Sequence, residues 1–212
     1  MKHKTAIYEI IVFSLILFFL IIPPFFTPVV SSDSYIFDWS FPIKQLFLFI
    51  FAIVIYIIFD KYLATRPYKY FFPSFRTLGE LFFILLIIRF MVTRYSITVI
   101  SQPMPEGKTE WIFCILTFLF SAAYEEIIYR FYLPGQLIRF FKLKFNSRFF
   151  VFLSDLLAAL VFAFAHYYMG WISVINAFLA HIVLRKLYID SGLIWNCVLI
   201  HFLYNIISLI LL

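Results

Sequence analysis

The chain has 212 residues, of which 65% are hydrophobic and only 13% are charged, and its formal net charge is +6. Soluble domains carry about twice that share of charged residues, so the composition excludes an ordinary water-soluble protein and indicates one that spans a membrane. The Lys and Arg residues fall mainly between apolar runs. Basic loops at a membrane surface therefore explain the positive charge better than nucleic-acid binding does.

Apolar runs of about 20 residues follow one another along the chain, and each predicts a membrane-spanning helix. They do not alternate apolar and polar residues, as the strands of a β-barrel would. The predicted fold class is therefore all-α: a polytopic membrane helix bundle of about seven transmembrane helices, forming a single membrane domain over residues 1–212. The predicted spans are 6–24, 41–59, 78–100, 110–132, 149–168, 171–189 and 193–212.

Basic residues concentrate in two segments between these runs, 60–76 and 139–148. Arg185 and Lys186 are interpreted as a further basic pair following the sixth span. The positive-inside rule then predicts a cytoplasmic N-terminus and basic loops that face the cytoplasm. Together with the short length and few loops, this favours an integral multi-pass protein of a bacterial cytoplasmic (inner) membrane.

Polar side chains inside the later spans are the main functional signal. A charged side chain near the bilayer centre costs roughly 2.5–3.5 kcal/mol, so a cluster of them predicts a functional site. The structural alternative is a set of ion pairs and hydrogen bonds between helices. The residues are Glu125, Glu126, Arg130, Asp155, His166, Asn176, His181, Asn196, His201 and Asn205.

The fourth span carries two adjacent acids followed by an arginine. Glu126 and Arg130 are four positions apart, so they can pair on one face of a helix. This pairing leaves Glu125 about 100° away around the helix, where it has no such explanation. Glu125 is therefore predicted to be functional.

Two further groups lie in the later spans. His166 ends an apolar run, and Asp155, eleven residues earlier on nearly the same face, is interpreted as a separate packing contact. His201 and Asn205 are four positions apart and project from one face of the last helix. Such a pair suits donation of two hydrogen bonds to one oxygen, although hydrogen bonding between helices is the alternative.

These groups can act together only at a similar depth. If the fourth helix continues past Pro134 to a turn near 145, Glu125 and His166 each lie roughly 30 Å from that turn and are level. If the helix ends at 132, they lie near opposite membrane faces. If Glu125 and His166 belong to one site, the fourth helix must continue to the turn near 145. This favours the long helix, although hydropathy alone predicts that the helix ends at 132.

Three ordered motifs resemble one family. EEIIYR (125–130) resembles its EExxxR motif, FAFAH (162–166) its FxxxH motif and HFLYN (201–205) its HxxxN motif. The family is the CPBP intramembrane proteases, also called Abi proteins, which include the type II CAAX prenyl endopeptidases and bacteriocin-processing or immunity proteins. The resemblance covers roughly residues 110–208. One departure is Phe131, where family members usually have Gly.

The resemblance implies an intramembrane endopeptidase that hydrolyses membrane-associated, prenylated or leader peptides. Glu125 and His166 would activate a water molecule, and His201 and Asn205 would bind the oxyanion. The expected partners are a membrane-associated peptide or protein substrate and the lipid bilayer, with no nucleic acid.

Glu126 and Arg130 are expected to support these groups. In this scheme no cofactor is needed. The alternative is a metalloprotease in which Glu125, His166 and His201 bind zinc and leave one position open for water. An HExxH motif is absent, and the spacing does not separate the two schemes.

Two other functions fit the same residues. A membrane peptide-binding or immunity protein of the same fold would keep the motifs without cleaving anything. A transporter would also place carboxylates and histidines inside the membrane. The transporter is disfavoured because neither an inverted repeat nor a matching set of charges is present in the first half of the chain.

Overall fold

The computed structural model describes residues 2–18, 22, 26, 39–63, 75–94, 104–142 and 148–211. Every regular element within these residues is helical and none is a strand, which confirms the all-α fold class. The elements are α1 (Lys2–Ile16), α2 (Ser40–Leu63), α3 (Phe75–Arg94), α4 (Lys108–Glu125), a π-helical turn (Glu126–Tyr132, the π segment), α5 (Leu133–Lys142), α6 (Arg148–Phe164), a 3₁₀ turn (Tyr167–Met169), α7 (Trp171–Ser191) and α8 (Ile194–Leu211).

Three stretches in the described ranges are long and apolar enough to cross a bilayer: Ser40–Asp60, Lys108–Phe141 and Trp171–Ser191. A shorter apolar helix covers Ile194–Ile210. The protein is therefore a helical membrane protein, while the count of seven crossings stays a prediction. Much of the basic segment 60–76 lies outside the described residues, as do residues 143–147 of the second basic segment.

The fourth helix is continuous from α4 through the π segment into α5. The end at 132 set by hydropathy is therefore wrong, and the long helix that convergence required is confirmed. Pro134 is the second residue of α5. Because the fourth helix is continuous, Pro134 lies in its interior, where its missing N–H leaves a carbonyl of the preceding turn without its helical donor.

The core lies around the π segment. The ring of Tyr56 on α2 packs 5.0 Å from the ring of Phe131, and Phe59 packs 5.1 Å from Tyr132. Phe131 is thus a buried packing residue against α2. The outer faces are different, since large apolar side chains such as Phe47 and Phe83 are exposed. Such faces suit contact with lipid.

Glycines shape both ends of α7. Gly192 adopts a left-handed conformation with φ 69°, and its N–H bonds the carbonyl of Tyr188 at 2.8 Å. This is the usual way for a helix to stop before a tight turn, and α8 begins two residues later. Gly170, with φ 91°, precedes α7. The short turn between α6 and α7 holds His166 at the end of α6, while α8 carries His201.

Candidate active site

The three motifs converge. The Oε2 atom of Glu125 lies 3.8 Å from Nε2 of His166 and 3.8 Å from Nε2 of His201. The predicted common depth of Glu125 and His166 is therefore confirmed. These side chains are 18%, 20% and 9% exposed, respectively, so the cluster is largely shielded and yet reachable.

Ser121 fixes the orientation of Glu125. Its hydroxyl donates to Oε1 of Glu125 at 2.7 Å. The other oxygen, Oε2, is buried and has no direct hydrogen-bond donor among the described residues. The carboxylate is thus held at one end, and its free end faces the two imidazoles. Sequence reasoning missed Ser121, although a hydroxyl four positions before Glu125 lies on the same helical face.

Glu126 lies at the centre of a fully buried polar group. Its Oε1 accepts hydrogen bonds from Nη1 of Arg130, as the spacing predicted, and from Nδ1 of His201 at 2.6 Å. The bond to His201 was not predicted. Oε1 of Glu126 accepts from both partners, so Nδ1 of His201 carries the hydrogen.

Two neighbouring carboxylates therefore flank one imidazole. Glu126 binds Nδ1 of His201, while Glu125 faces Nε2. An α-helix would place these acids about 100° apart, and the junction between α4 and the wider π segment lies between them. Single π-helical turns inside α-helices occur frequently at functional sites.

Phe162 connects His166 to the buried arginine. Nδ1 of His166 donates to the backbone carbonyl of Phe162 at 2.9 Å, because a carbonyl can only accept. The Phe162 ring lies 4.6 Å from the guanidinium carbon of Arg130. In a neutral His166 ring, Nε2 is then an acceptor, and it faces Glu125.

Asn205 follows His201 by one turn of α8 and is half-buried. No hydrogen bond joins it to another described side chain of the cluster. Its helical spacing still places it on the same face as His201. The expected role of Asn205 at the oxyanion stays a prediction.

One expectation needs correction. Arg185 does not follow the sixth span; it lies within α7, and its side chain is only 13% exposed. Asp155 makes a contact separate from His166: its Oδ1 accepts from Nε and Nη2 of Arg185 at 3.0 and 2.7 Å. Arg185 also donates through Nη1 to the backbone carbonyl of Arg130 at 2.7 Å.

Glu125, His166 and His201 are of the residue types that bind zinc, and their spacing can be compared with that of a tetrahedral site. Zn–N and Zn–O bonds of 2.0–2.2 Å place the donors of a tetrahedral site about 3.4 Å apart. Here the carboxylate oxygen lies 3.8 Å from each imidazole nitrogen. Within the described ranges, no group of three or more His, Cys, Asp or Glu side chains is placed to hold a metal ion.

We expect Ser121→Ala to lower kcat about tenfold with little change in KM, because one hydrogen bond to a charged group is worth about 1.4 kcal/mol or more. Without the hydroxyl, Glu125 would rotate away from the imidazoles. Peptide cleavage rates measured over a range of substrate concentrations check this. Ser173→Ala is the matched control, since the Ser173 hydroxyl bonds only a backbone carbonyl, that of Met169. Equal kcat values for the wild type and Ser121→Ala would contradict the role.

The sequence is similar to one known family. The family model described as Type II CAAX prenyl endopeptidase Rce1-like matches residues 107–207. This match confirms the resemblance predicted from the three motifs, all of which lie inside the matched range. No curated protein and no solved structure is similar enough to match the chain. The description names an endopeptidase family of the CAAX type.

Proposed function

We propose that this chain is an intramembrane endopeptidase that cleaves a peptide bond in a membrane-associated peptide or protein, using a water molecule activated by Glu125 and His166. One observation carries the proposal. The free oxygen of Glu125 lies 3.8 Å from the Nε2 atom of His166 and 3.8 Å from the Nε2 atom of His201. The match to an endopeptidase family supports the same reaction.

A separation of 3.8 Å is too long for a direct hydrogen bond but suits a shared water molecule. A water oxygen between these atoms can reach each of them at 2.6–3.2 Å, the range required of a general base. Glu125 Oε2 and His166 Nε2 are both acceptors. They would therefore take the two hydrogens of the water and turn an oxygen lone pair toward the scissile carbonyl carbon.

Glu125 is the proposed general base. As the water oxygen attacks, its proton passes to Oε2 of Glu125, and the carbonyl becomes a tetrahedral oxyanion. The same proton is then available to the leaving amine, which completes hydrolysis. His166 keeps the water aligned through its hydrogen bond and does not need to change charge.

His201 and Asn205 would stabilise the oxyanion. Since Nδ1 of His201 donates to Glu126, donation to an oxyanion is left to Nε2. A ring that donates from both nitrogens is an imidazolium, and the buried carboxylate of Glu126 balances its charge. The Asn205 amide would supply a second donor from the same helical face.

The family description, which names prenyl endopeptidases of the CAAX type, supports a CAAX-type peptide as the substrate class. A CAAX peptide has a prenylated cysteine followed by three residues. Its lipid would hold the peptide in the bilayer beside the site. A leader peptide inserted in the membrane presents the same chemistry without the lipid. We propose a bacterial inner membrane as the location.

The function is tested with purified protein in lipid nanodiscs and three peptides. One ends in a farnesylated cysteine followed by three residues, the second is the same peptide without the farnesyl group, and the third is an apolar leader peptide. Mass spectrometry identifies each product. Cleavage of at least one membrane-bound peptide by the wild type is expected, with no cleavage when Glu125 is replaced. If the wild type cleaved none of the three, the proposed function would be contradicted.

We expect a zinc chelator to leave the cleavage rate unchanged, because the proposed water activation uses only side chains. The rate is measured before and after dialysis against the chelator, with metal content determined on the same samples. A thermolysin-type zinc protease treated in parallel is the positive control. Loss of activity that added zinc restores, with one zinc bound per chain, would favour Glu125, His166 and His201 as metal ligands instead.

A further inference from the structure

The helix backbone close to the buried pair of Glu126 and Arg130 lacks one hydrogen-bond donor, because Pro134 has no N–H. In α-helical register, the carbonyl of Arg130 would accept from the N–H of the residue four positions later, which is Pro134. In π-helical register, Pro134 would be the donor to Tyr129. Proline has no N–H, so one carbonyl at this level needs another donor in either register.

A side chain from another helix provides one. Nη1 of Arg185, on α7, donates to the carbonyl of Arg130 at 2.7 Å. Two further donors of Arg185, Nε and Nη2, bind Oδ1 of Asp155 on α6. Both side chains are mostly buried, with 13% and 25% exposure. A guanidinium suits this task because its rigid fork can serve two acceptors in fixed directions.

We propose that Arg185, held by Asp155, is a positioning residue: its donation to the carbonyl of Arg130, close to Pro134, fixes the π segment against α6. The continuous fourth helix carries Glu125, and His166 lies two residues beyond the end of α6 at Phe164. Asp155 lies nine residues before that end, about 14 Å along α6. The bonds to Arg185 therefore set the relative depth of the two helices whose side chains would share the water molecule.

The predicted effect of Arg185 on catalysis rests on the proposed function, but its effect on the position of the histidines does not. The test therefore also includes a structural measurement that needs no substrate. Arg185→Met keeps an unbranched side chain but removes every donor. Because it leaves Asp155 without its partner, a second variant, Asp155→Asn with Arg185→Met, removes both charges together. Lys186→Met is the matched control, since Lys186 is exposed and pairs only with Asp190 one turn away.

Three measurements are made on each variant in nanodiscs: the unfolding temperature, kcat and KM for the cleaved peptide, and the ring-nitrogen NMR signals of isotope-labelled histidine. The chain has four histidines, and variants of His166 and His201 identify their signals. For the folded double variant we expect both signals to shift and kcat to fall about 10- to 100-fold with little change in KM, as a displacement of about 1 Å would cause. Lys186→Met should leave all three measurements unchanged.

The histidine signals separate the two hypotheses. If the wild type cleaves no peptide, the proposed function fails, while shifted His166 and His201 signals in the double variant still support positioning by Arg185. A folded double variant with wild-type signals and wild-type kcat would overturn the proposal. A change in the unfolding temperature alone would overturn it as well, because Arg185 would then be a purely structural residue.

Discussion

Replacing Glu125 with Gln is expected to lower kcat about 10³-fold, the size of effect that loss of a general base produces. Gln keeps the length of the side chain and an oxygen that can accept the hydrogen bond from Ser121. Its amide cannot take a proton from water. The change therefore removes the chemistry and leaves the position of the side chain intact.

Cleavage of the best peptide is measured for this variant and for Glu110→Gln. Glu110 is the matched control because it lies on the same helix and accepts one hydrogen bond, from the backbone N–H of Glu106 at 2.8 Å. We expect Glu110→Gln to retain wild-type kcat and both variants to retain wild-type KM. Substantial cleavage by folded Glu125→Gln would exclude Glu125 as the base.

Much of the candidate site follows from helix geometry alone. With a rise of 1.5 Å per residue, Glu125 and His166 lie at the same depth in the membrane only if the fourth helix continues past Pro134. The structure has that continuous helix. The i,i+4 rule likewise gave the pair of Glu126 with Arg130. Both predictions depend on contacts or distances within single helices, which periodicity fixes.

The rest depends on contacts between helices. Arg185 stands close to the end of an apolar run, and its charge suggests a position after the sixth span. Its burial is tolerable only because Asp155, 30 residues earlier in the chain, lies against it. The bond between Glu126 and His201 spans 75 residues and depends on how α8 packs beside the π segment. Periodicity within one helix cannot reveal such pairs.

The π-helical conformation of residues 126–132 could not be predicted from the sequence either. The spacing of EEIIYR predicts an α-helix, in which neighbouring acids diverge. In the structure the helix widens from Glu126 onward, and both acids face His201. Pro134, two residues beyond the π segment, removes a backbone donor, but the contacts of this segment with Arg185 and with α2 join different helices and do not follow from the local sequence.

Variants of the buried ion pair between Glu126 and Arg130 should affect the stability of the fold and the rate of catalysis differently. Arg130→Met leaves the Glu126 carboxylate fully buried without its arginine, and removal of one partner of such a pair costs about 3–5 kcal/mol in the free energy of unfolding. Adding Glu126→Gln removes the uncompensated charge as well. Because a buried ion pair contributes little beyond an uncharged substitute, we expect the double variant to regain most of the lost stability.

The double variant Arg130→Met with Glu126→Gln should regain stability but not catalytic activity. The double variant has no carboxylate to hold Nδ1 of His201 or to balance an imidazolium ring, so kcat should stay about 10²- to 10³-fold low, as for loss of one oxyanion donor. Denaturant unfolding in detergent and peptide cleavage are measured on the same samples. The exposed pair Lys186–Asp190, with the same four-residue spacing, is the control; Lys186→Met with Asp190→Asn should change neither quantity appreciably. A stable double variant with wild-type kcat would show that Glu126 and Arg130 only support the fold, and that His201 acts without a carboxylate behind it.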